Sequence, residues 1–364
     1  MDSSGGIPVP SVAIAEGNEV RPPNLFGWDR LDLASALAAF ADRPYYAAQV
    51  YHHMYGRLET DFQAMTDLPT ALRRELAERF RVDWPRVKDV RSSTDGSKKY
   101  LMALEDGGEI ESVYILYGAR VTLCVSSQIG CALACRFCLT GTMGLVRNLS
   151  PGEILGQIAV MARDHALAGT SYRVVFMGMG EPLHNYDPVM RAFRVMVDAK
   201  GFGLSPRRVT LSTAGLAPGI DKLAREKPRP RLAISLGAAH DTLRSELVPI
   251  NRKYDLEALI GACRRFPLGP REKITFEYCL IDGVNDGEQD ARRLARLTRG
   301  FPAKVNVIPY NEAGVPGFRT PAADGAQRFR DALLARGVAA TIRWSKGRDV
   351  GAACGQLATR VAAG

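Results

Sequence analysis

The chain has no run of eighteen apolar residues, so no transmembrane helix is expected along its 364 positions. Its first 23 residues, MDSSGGIPVPSVAIAEGNEVRPP, contain no basic stretch leading into an apolar one. A flexible tail is expected there rather than a signal peptide, and with it a cytoplasmic location. Acidic side chains are the minority, 39 against 48 Lys and Arg, and the net charge of +9 favours a polyanionic partner. Histidine is scarce at five, and no cysteine or carboxylate cluster accompanies His52 and His53. Both are therefore read as surface or packing residues. Nothing in the chain signals an oligomer, so a monomer is the plain expectation. What is present is a hydrophobic fraction of 46%, ordinary for a protein that buries a real core. The length suits one large domain with a small one. Seven cysteines, several of them clustered and without a secretion signal, indicate a reducing compartment and a metal or redox role.

Periodicity divides the chain. From Asp29 to about Phe80 apolar residues recur at helical spacing, with Leu31, Leu33, Leu37 and Phe40 in a first helix, Tyr45 to Met54 in a second, and Leu72, Leu76 and Phe80 in a third. Residues 88–116 switch to period two and read as a β-hairpin, 99–104 and 110–116 around Gly107-Gly108, with Glu111 in its second strand. From Val121 strands and helices alternate. Strands are expected at 121–125, 173–177, 208–212, 231–235, 273–280 and 304–308, with helices at 151–166, 188–198, 218–225, 256–264, 289–299 and 326–336. Ala340–Trp344 reads as one further strand. Six βα units imply a parallel sheet, either curled into three quarters of a TIM-like barrel or flat and doubly wound. Both arrangements put a site at the C-terminal ends of the strands. The expected organisation is a tail at 1–23, a helical domain at 24–87, a β-hairpin linker at 88–116, an α/β core at 117–349 and a C-terminal segment at 350–364.

One stretch carries the chemistry. In CVSSQIGCALACRFCLTGTM, Cys131, Cys135 and Cys138 fall in a C-x3-C-x2-C spacing. A 4Fe–4S cubane normally takes four thiolates. Three local cysteines leave one iron open to a substrate or cofactor, and Phe137 is placed to shield the core. A zinc knot completed by Cys124 or Cys354 is one alternative reading, and three ordinary core cysteines another. Near the chain end, Cys354 sits between glycines in a segment that reads as a mobile loop carrying a thiol.

The spacing is the signature of radical S-adenosylmethionine (SAM) enzymes, and longer strings narrow the resemblance. CVSSQIGCALACRFCLTGTMGLVRNLSPGEILGQ, FMGMGEPLHNY, VTLSTAGLAPG, ELVPINRKY, ITFEYCLIDGVN and AACGQL together resemble the RlmN/Cfr family of RNA methyltransferases, from about Asp29 to the end. The resemblance implies a partial (β/α)6 TIM-like barrel as radical SAM core, with a small N-terminal helical domain and a β-hairpin extension. It implies one 4Fe–4S cluster on Cys131, Cys135 and Cys138. Gly180 and Glu181 would hold the SAM amino group, where a carboxylate is a natural ammonium partner. Ser212, Ser235, Leu236, Gly237 and Asn311 would line the rest of the SAM pocket.

By the same resemblance Cys354 is the methyl carrier, Cys124 the resolving thiol and Glu111 the proton acceptor. Two SAM molecules serve each turnover. The first methylates Cys354; the second yields a 5′-deoxyadenosyl radical that takes hydrogen from the S-methyl group. The carbon radical adds to C2 of adenine. Loss of the C2 proton and attack by Cys124 release the product and leave a Cys124–Cys354 disulfide. Implied partners are 23S rRNA in the peptidyl-transferase region, tRNA at the adenosine beside the anticodon, and a flavodoxin- or ferredoxin-like electron donor. The helical domain would dock RNA, helped by Arg207, Arg208, Arg225, Lys227, Arg229 and Arg231. Methylation at C8, the Cfr-type activity, is the alternative within the family. A glycyl-radical activase and a non-enzymatic RNA- or zinc-binding protein are the alternatives outside it.

Some positions depart from the family pattern. The usual Ser-Leu-His reads Ser235-Leu236-Gly237, the Arg-Gly near Trp344 reads Lys346-Gly347, and the basic pair around Ala47 reads Tyr46 and Ala48. Loss of the imidazole puts a side-chain role there in doubt and leaves backbone contacts to SAM; Lys346 is expected to alter an RNA or phosphate contact, and Tyr46 and Ala48 weaken the case that this helix grips RNA and are expected to narrow the substrate range. Cys263 and Cys279 are assigned to core packing.

Overall fold

The structure is a computed structural model that describes residues 21–312 and 315–359. The expected tail, apart from residues 21–23, lies outside the described residues. Three helices come first: α1 (Arg30–Leu37), α2 (Tyr45–Gly56) and α3 (Thr70–Arg79). Asp29 accepts the N–H groups of Leu31 and Asp32, and Asp32 reaches back to the Asp29 N–H, a capping box that fixes where α1 starts. Leu33, Leu37, Val50, Met54, Leu72 and Leu76 turn inward and are buried. His53 is buried against the Asp67 carboxylate, and His52 meets the Lys200 carbonyl at 3.1 Å. Both histidines therefore pack, as their isolation in sequence suggests.

Strands β1 (Arg86–Ser92), β2 (Lys98–Ala103), β3 (Glu109–Tyr117) and β4 (Arg120–Cys124) follow, each antiparallel to the next. The expected hairpin is β2–β3. It has a further partner on each side, so it extends the main sheet. No strand is expected over Arg86–Ser92, because RVKDVRS is rich in charge; in the structure it is exposed along its whole length. Charge is typical of an edge strand that must not recruit partners.

After β4 a small hairpin, β5 (Gln128–Gly130) and β6 (Leu145–Asn148), brackets the short helix α4 (Leu139–Thr142). Helix α5 (Pro151–Asp164) is set by a Ser150–Glu153 capping box with Pro151 at its first position. Then come β7 (Arg173–Phe176), α6 (Tyr186–Val197), β8 (Val209–Thr213), α7 (Ala217–Leu223) and β9 (Arg231–Ser235). The chain continues with α8 (Asp241–Leu247), α9 (Leu256–Arg265), β10 (Ile274–Leu280), α10 (Glu288–Leu297), β11 (Ala303–Pro309), α11 (Ala323–Leu334) and β12 (Ala340–Ile342).

One ten-stranded sheet results, ordered β1-β2-β3-β4-β7-β8-β9-β10-β11-β12, and every pairing from β4 to β12 is parallel. On a flat sheet β7 and β11 would lie about 19 Å apart. Met177 after β7 and Ile308 in β11 nevertheless line one cavity. The sheet is therefore curled. Its end strands do not pair with each other, which makes it a partial barrel open on one side. No helix of the described residues is long and apolar enough to cross a membrane.

Candidate active site

The cavity lies at the C-terminal ends of the parallel strands, where such folds place their chemistry. Cys131, Cys135, Cys138 and Phe137 form one wall. Their loop is closed at its base by the β5–β6 hairpin and by Cys131 N–H to Gly144 O at 2.8 Å. A Cβ on Gly141 would lie 2.9 Å from both the N and the O of Cys135, so only glycine lets α4 pack on the cysteine loop. Burial pushes the Cys131 thiol up to about 12 and Cys135 well above its ordinary value, and Cys138 and Cys131 add to the Cys135 shift.

Thiols in this state become thiolates when a metal core supplies the positive charge. Three of them on one cavity wall, with space above, fit the three-cysteine cluster. Among the described residues no three His, Cys, Asp or Glu groups are set to share a single ion. A cubane distributes its protein ligands over separate irons.

Glu181 faces these thiols. It is buried, its carboxylate accepts Ala214 N–H at 2.9 Å and Leu183 N–H at 3.1 Å, and no Lys or Arg pairs with it among the described residues. Burial pushes its carboxyl up to about 7. A buried acid without a counter-charge suits an incoming ammonium group, which is the fit expected for SAM. Gly180, Ser212, Ser235, Gly237 and Asn311 line the same cavity, with the Ser212 and Ser235 hydroxyls 3.0 Å apart.

Leu236 differs from its neighbours. Its side chain is fully buried and is not part of the cavity wall; its carbonyl accepts Arg244 Nε at 2.9 Å. Gly237, where the family pattern led to an expectation of histidine, has φ of +74°, and a Cβ there would come within 2.6 Å of Val248 Cγ2. The surroundings have closed around a glycine. Asn311 donates to Ser345 Oγ at 2.9 Å and to the Cys354 carbonyl at 3.3 Å, so it also holds the loop that carries Cys354.

Cys354 lines the cavity, with Arg343, Glu277 and Cys138 in electrostatic reach. Cys124 is buried at the end of β4, its thiol pushed up to about 12 by burial and then by the neighbouring Cys354. Both thiols are free. Cys279, assigned to packing from sequence, also lines the cavity and senses Cys354.

Glu111 stands apart. It is buried behind the C-terminal segment, outside the cavity wall, in an ion pair with Lys99 Nζ at 2.8 Å. Ala358 N–H donates to its second oxygen at 2.9 Å. The same segment is fastened by Leu139 N–H to Gly355 O at 2.8 Å and Thr140 Oγ1 to Leu357 O at 2.6 Å. The carrier thiol and the acid are thus joined through one strap.

Sequence reasoning missed several supports. Lys99 is one, and Glu277 and Arg343 are two more. Gln128 is a fourth: its Oε1 accepts the Glu181 N–H at 2.8 Å, and its Nε2 reaches Asn148 at 2.7 Å. Gln157 bonds Ser112 Oγ and Ser126 N–H, both at 2.7 Å, and so ties α5 to the loop after β4. Polar residues inside otherwise apolar motif strings were the available signal.

This combination of an open three-thiolate wall, an unpaired buried acid and a parallel partial barrel defines a radical SAM enzyme. Residues 125–295 match the radical SAM superfamily, and residues 23–82 match the N-terminal domain of ribosomal RNA large subunit methyltransferases. The chain is 48% identical to the dual-specificity RNA methyltransferase RlmN of Syntrophotalea carbinolica, over 90% of this chain and 87% of that one. It is 42% identical to RlmN of Acidiphilium cryptum, over 97% and 92%. A crystal structure of a radical SAM methyltransferase from Sphaerobacter thermophilus superposes with a TM-score of 0.87 at 45% identity, covering 92% of this chain and 99% of that one. The chain belongs to the RlmN family of radical SAM RNA methyltransferases, which use a 4Fe–4S cluster and SAM.

Proposed function

We propose that the protein methylates C2 of adenosine in 23S rRNA and in tRNA through an S-methylcysteine on Cys354. The observation that carries this reading is the pairing of Cys354, open to the cavity, with Cys124 buried beside it. An ordinary methyltransferase needs neither thiol, and a glycyl-radical activase would not need the pair. C2 of adenine is electron-poor, so direct polar transfer faces a high barrier. When bound, the cluster and SAM supply the radical chemistry that avoids it.

The chain's own residues do the rest. Cys131, Cys135 and Cys138 hold the cluster, and Glu181 takes the SAM ammonium. The Cys354 thiolate attacks the methyl carbon of SAM, breaking its sulfonium S–CH3 bond and releasing S-adenosylhomocysteine. Glu111 receives the C2 proton once the strap carrying Ala358 shifts to let the base approach. Cys124 then attacks Cys354 sulfur to free the RNA, leaving a disulfide for an external reductant. Two SAM molecules are consumed per turnover, and a flavodoxin- or ferredoxin-like protein supplies the electron. The enzyme works as a cytoplasmic monomer. The target base must leave its stack, so single-stranded loops are the accessible substrates.

Reaction with SAM carrying a CD3 methyl group tests the proposal. The expected product is a methyl group retaining two deuteriums on C2 of adenine. Retention of all three would mean direct transfer and would refute the cysteine route. The same two-deuterium pattern on C8 would assign the Cfr-type activity instead.

A further inference from the structure

Six parallel strands begin alike. Arg120, Arg173, Arg208, Arg231, Lys273 and Lys304 each stand four residues before Cys124, Met177, Ser212, Ser235, Glu277 and Ile308. The last five of these line the catalytic cavity, and Cys124 lies beside Cys354. Side chains alternate along a strand, so a strand residue four positions back faces the same side; Arg208 and Lys273 stand one residue before β8 and β10. Four residues of rise put the cations about 13 Å beneath the cavity floor, at the N-terminal mouth of the partial barrel.

The register lines them up along one arc of the open barrel. Arg173 pairs with Thr122, Arg231 with Thr210 and Lys304 with Thr275, so three of the cations each have a hydroxyl level with them on the preceding strand. Arg173 is held below its ordinary value by burial, then by Arg120, Arg208 and Arg231. Lys304 is lowered by burial, and Arg231 and Arg173 add to that against the opposing effect of Glu277. Arg173, Arg231 and Lys304 therefore lie within electrostatic reach of one another.

Glu277 offsets Lys304 in part, from beyond ion-pair distance. Among the described residues none of the six cations makes an ion pair. The carboxylates on the loops entering these strands are used elsewhere: Asp198 with Arg30 at 3.9 Å, Glu226 with Arg194 at 3.3 Å and Glu272 with Arg229 at 4.0 Å. The nearest acid on the strands themselves, Glu277, is held by Asn306 at 2.9 Å, with Arg343 at 3.9 Å. A barrel bottom is ordinarily filled by apolar layers. Here like charges converge at a solvent-facing mouth, five of the six exposed and Arg208 half-buried, where an oxyanion can reach and neutralise them.

We propose that the N-terminal mouth of the partial barrel is a phosphate-binding site, distinct from the catalytic cavity. Guanidinium forks with neighbouring hydroxyls match phosphate oxygens. A free phosphate and a backbone phosphate of RNA offer the same chemistry. The inference does not rest on the methylation reading.

Calorimetric titration of the anaerobically reconstituted enzyme with inorganic pyrophosphate, against chloride at matched ionic strength, tests it. One pyrophosphate per chain is expected. Binding should weaken at least tenfold in Arg173→Ser/Arg231→Ser and persist in Arg173→Lys/Arg231→Lys, with the visible absorbance of the cluster unchanged in both. A short hairpin RNA added as competitor separates the sources: displacement of pyrophosphate identifies a backbone phosphate, and simultaneous binding identifies a free one. No binding beyond the chloride control, or equal affinity in the serine variant, overturns the proposal.

Discussion

Glu181 sets the needs of the empty pocket against those of the loaded one. Its carboxyl is buried and pushed from an ordinary 4.5 to about 7. Between those values the folded chain holds a proton that the unfolded chain has released. Stability from this group is therefore greatest below pH 4.5 and is lost as pH rises through 7. At about 1.4 kcal/mol per pH unit, the SAM-free enzyme gives up about 3 kcal/mol by pH 8. Glu181→Gln removes the titration. The amide still accepts one of the two N–H bonds from Ala214 and Leu183, and misplacing the other costs about 1 kcal/mol. Urea unfolding without SAM at pH 5 and pH 8 reads the difference. The variant should gain about 3 kcal/mol on the wild type between the two conditions, while SAM binding at pH 8 weakens at least tenfold. Wild-type affinity for SAM should fall about tenfold for each pH unit below 7, as the carboxylate is neutralised. Parallel stability profiles for the two proteins would refute the assignment of Glu181 as a buried, unpaired acid.

Further outcomes follow from the site's supports. Lys99→Met leaves Glu111 as an uncompensated buried charge and should lower stability by about 3–5 kcal/mol, with much of the loss recovered in Lys99→Met/Glu111→Gln; a loss under about 1 kcal/mol, read from the urea midpoint, would reclassify the pair as solvent-screened. Gly141→Ala puts a Cβ 2.9 Å from the Cys135 backbone, so iron content and visible absorbance after reconstitution should drop; full iron loading would contradict the packing argument. Cys124→Ala should stop the reaction after RNA has joined Cys354, giving a slow band on a denaturing gel that also appears in RNA stain. Absence of that band, with methylated RNA still formed, would remove Cys124 from the resolving role.

The cofactor wall was legible because its chemistry dictates residue types at close spacing. Three thiols in eight residues have few uses, and Gly-Glu-Pro after a strand places a carboxylate at a strand's C-terminal end. The six βα units were legible because short strand-like runs alternate with helical periodicity along the core. What escaped reading depends on register. Lys99 and Glu111 are twelve positions apart and meet only because β2 pairs Leu101 with Glu111, which brings Lys99 two residues along on the same face. Helix α4 and the β5–β6 hairpin are too short to show a period; they are fixed by the loop they close. The strand-opening cations were visible as letters, but each alone reads as a solvated charge. Arg229, grouped with Arg231 in sequence, is in fact bound to the Pro267 carbonyl and stacked on Phe266, whereas Arg231 lies level with Thr210 and within electrostatic reach of Arg173. Pairing in register, and not nearness in sequence, decides which charges are free to meet a ligand.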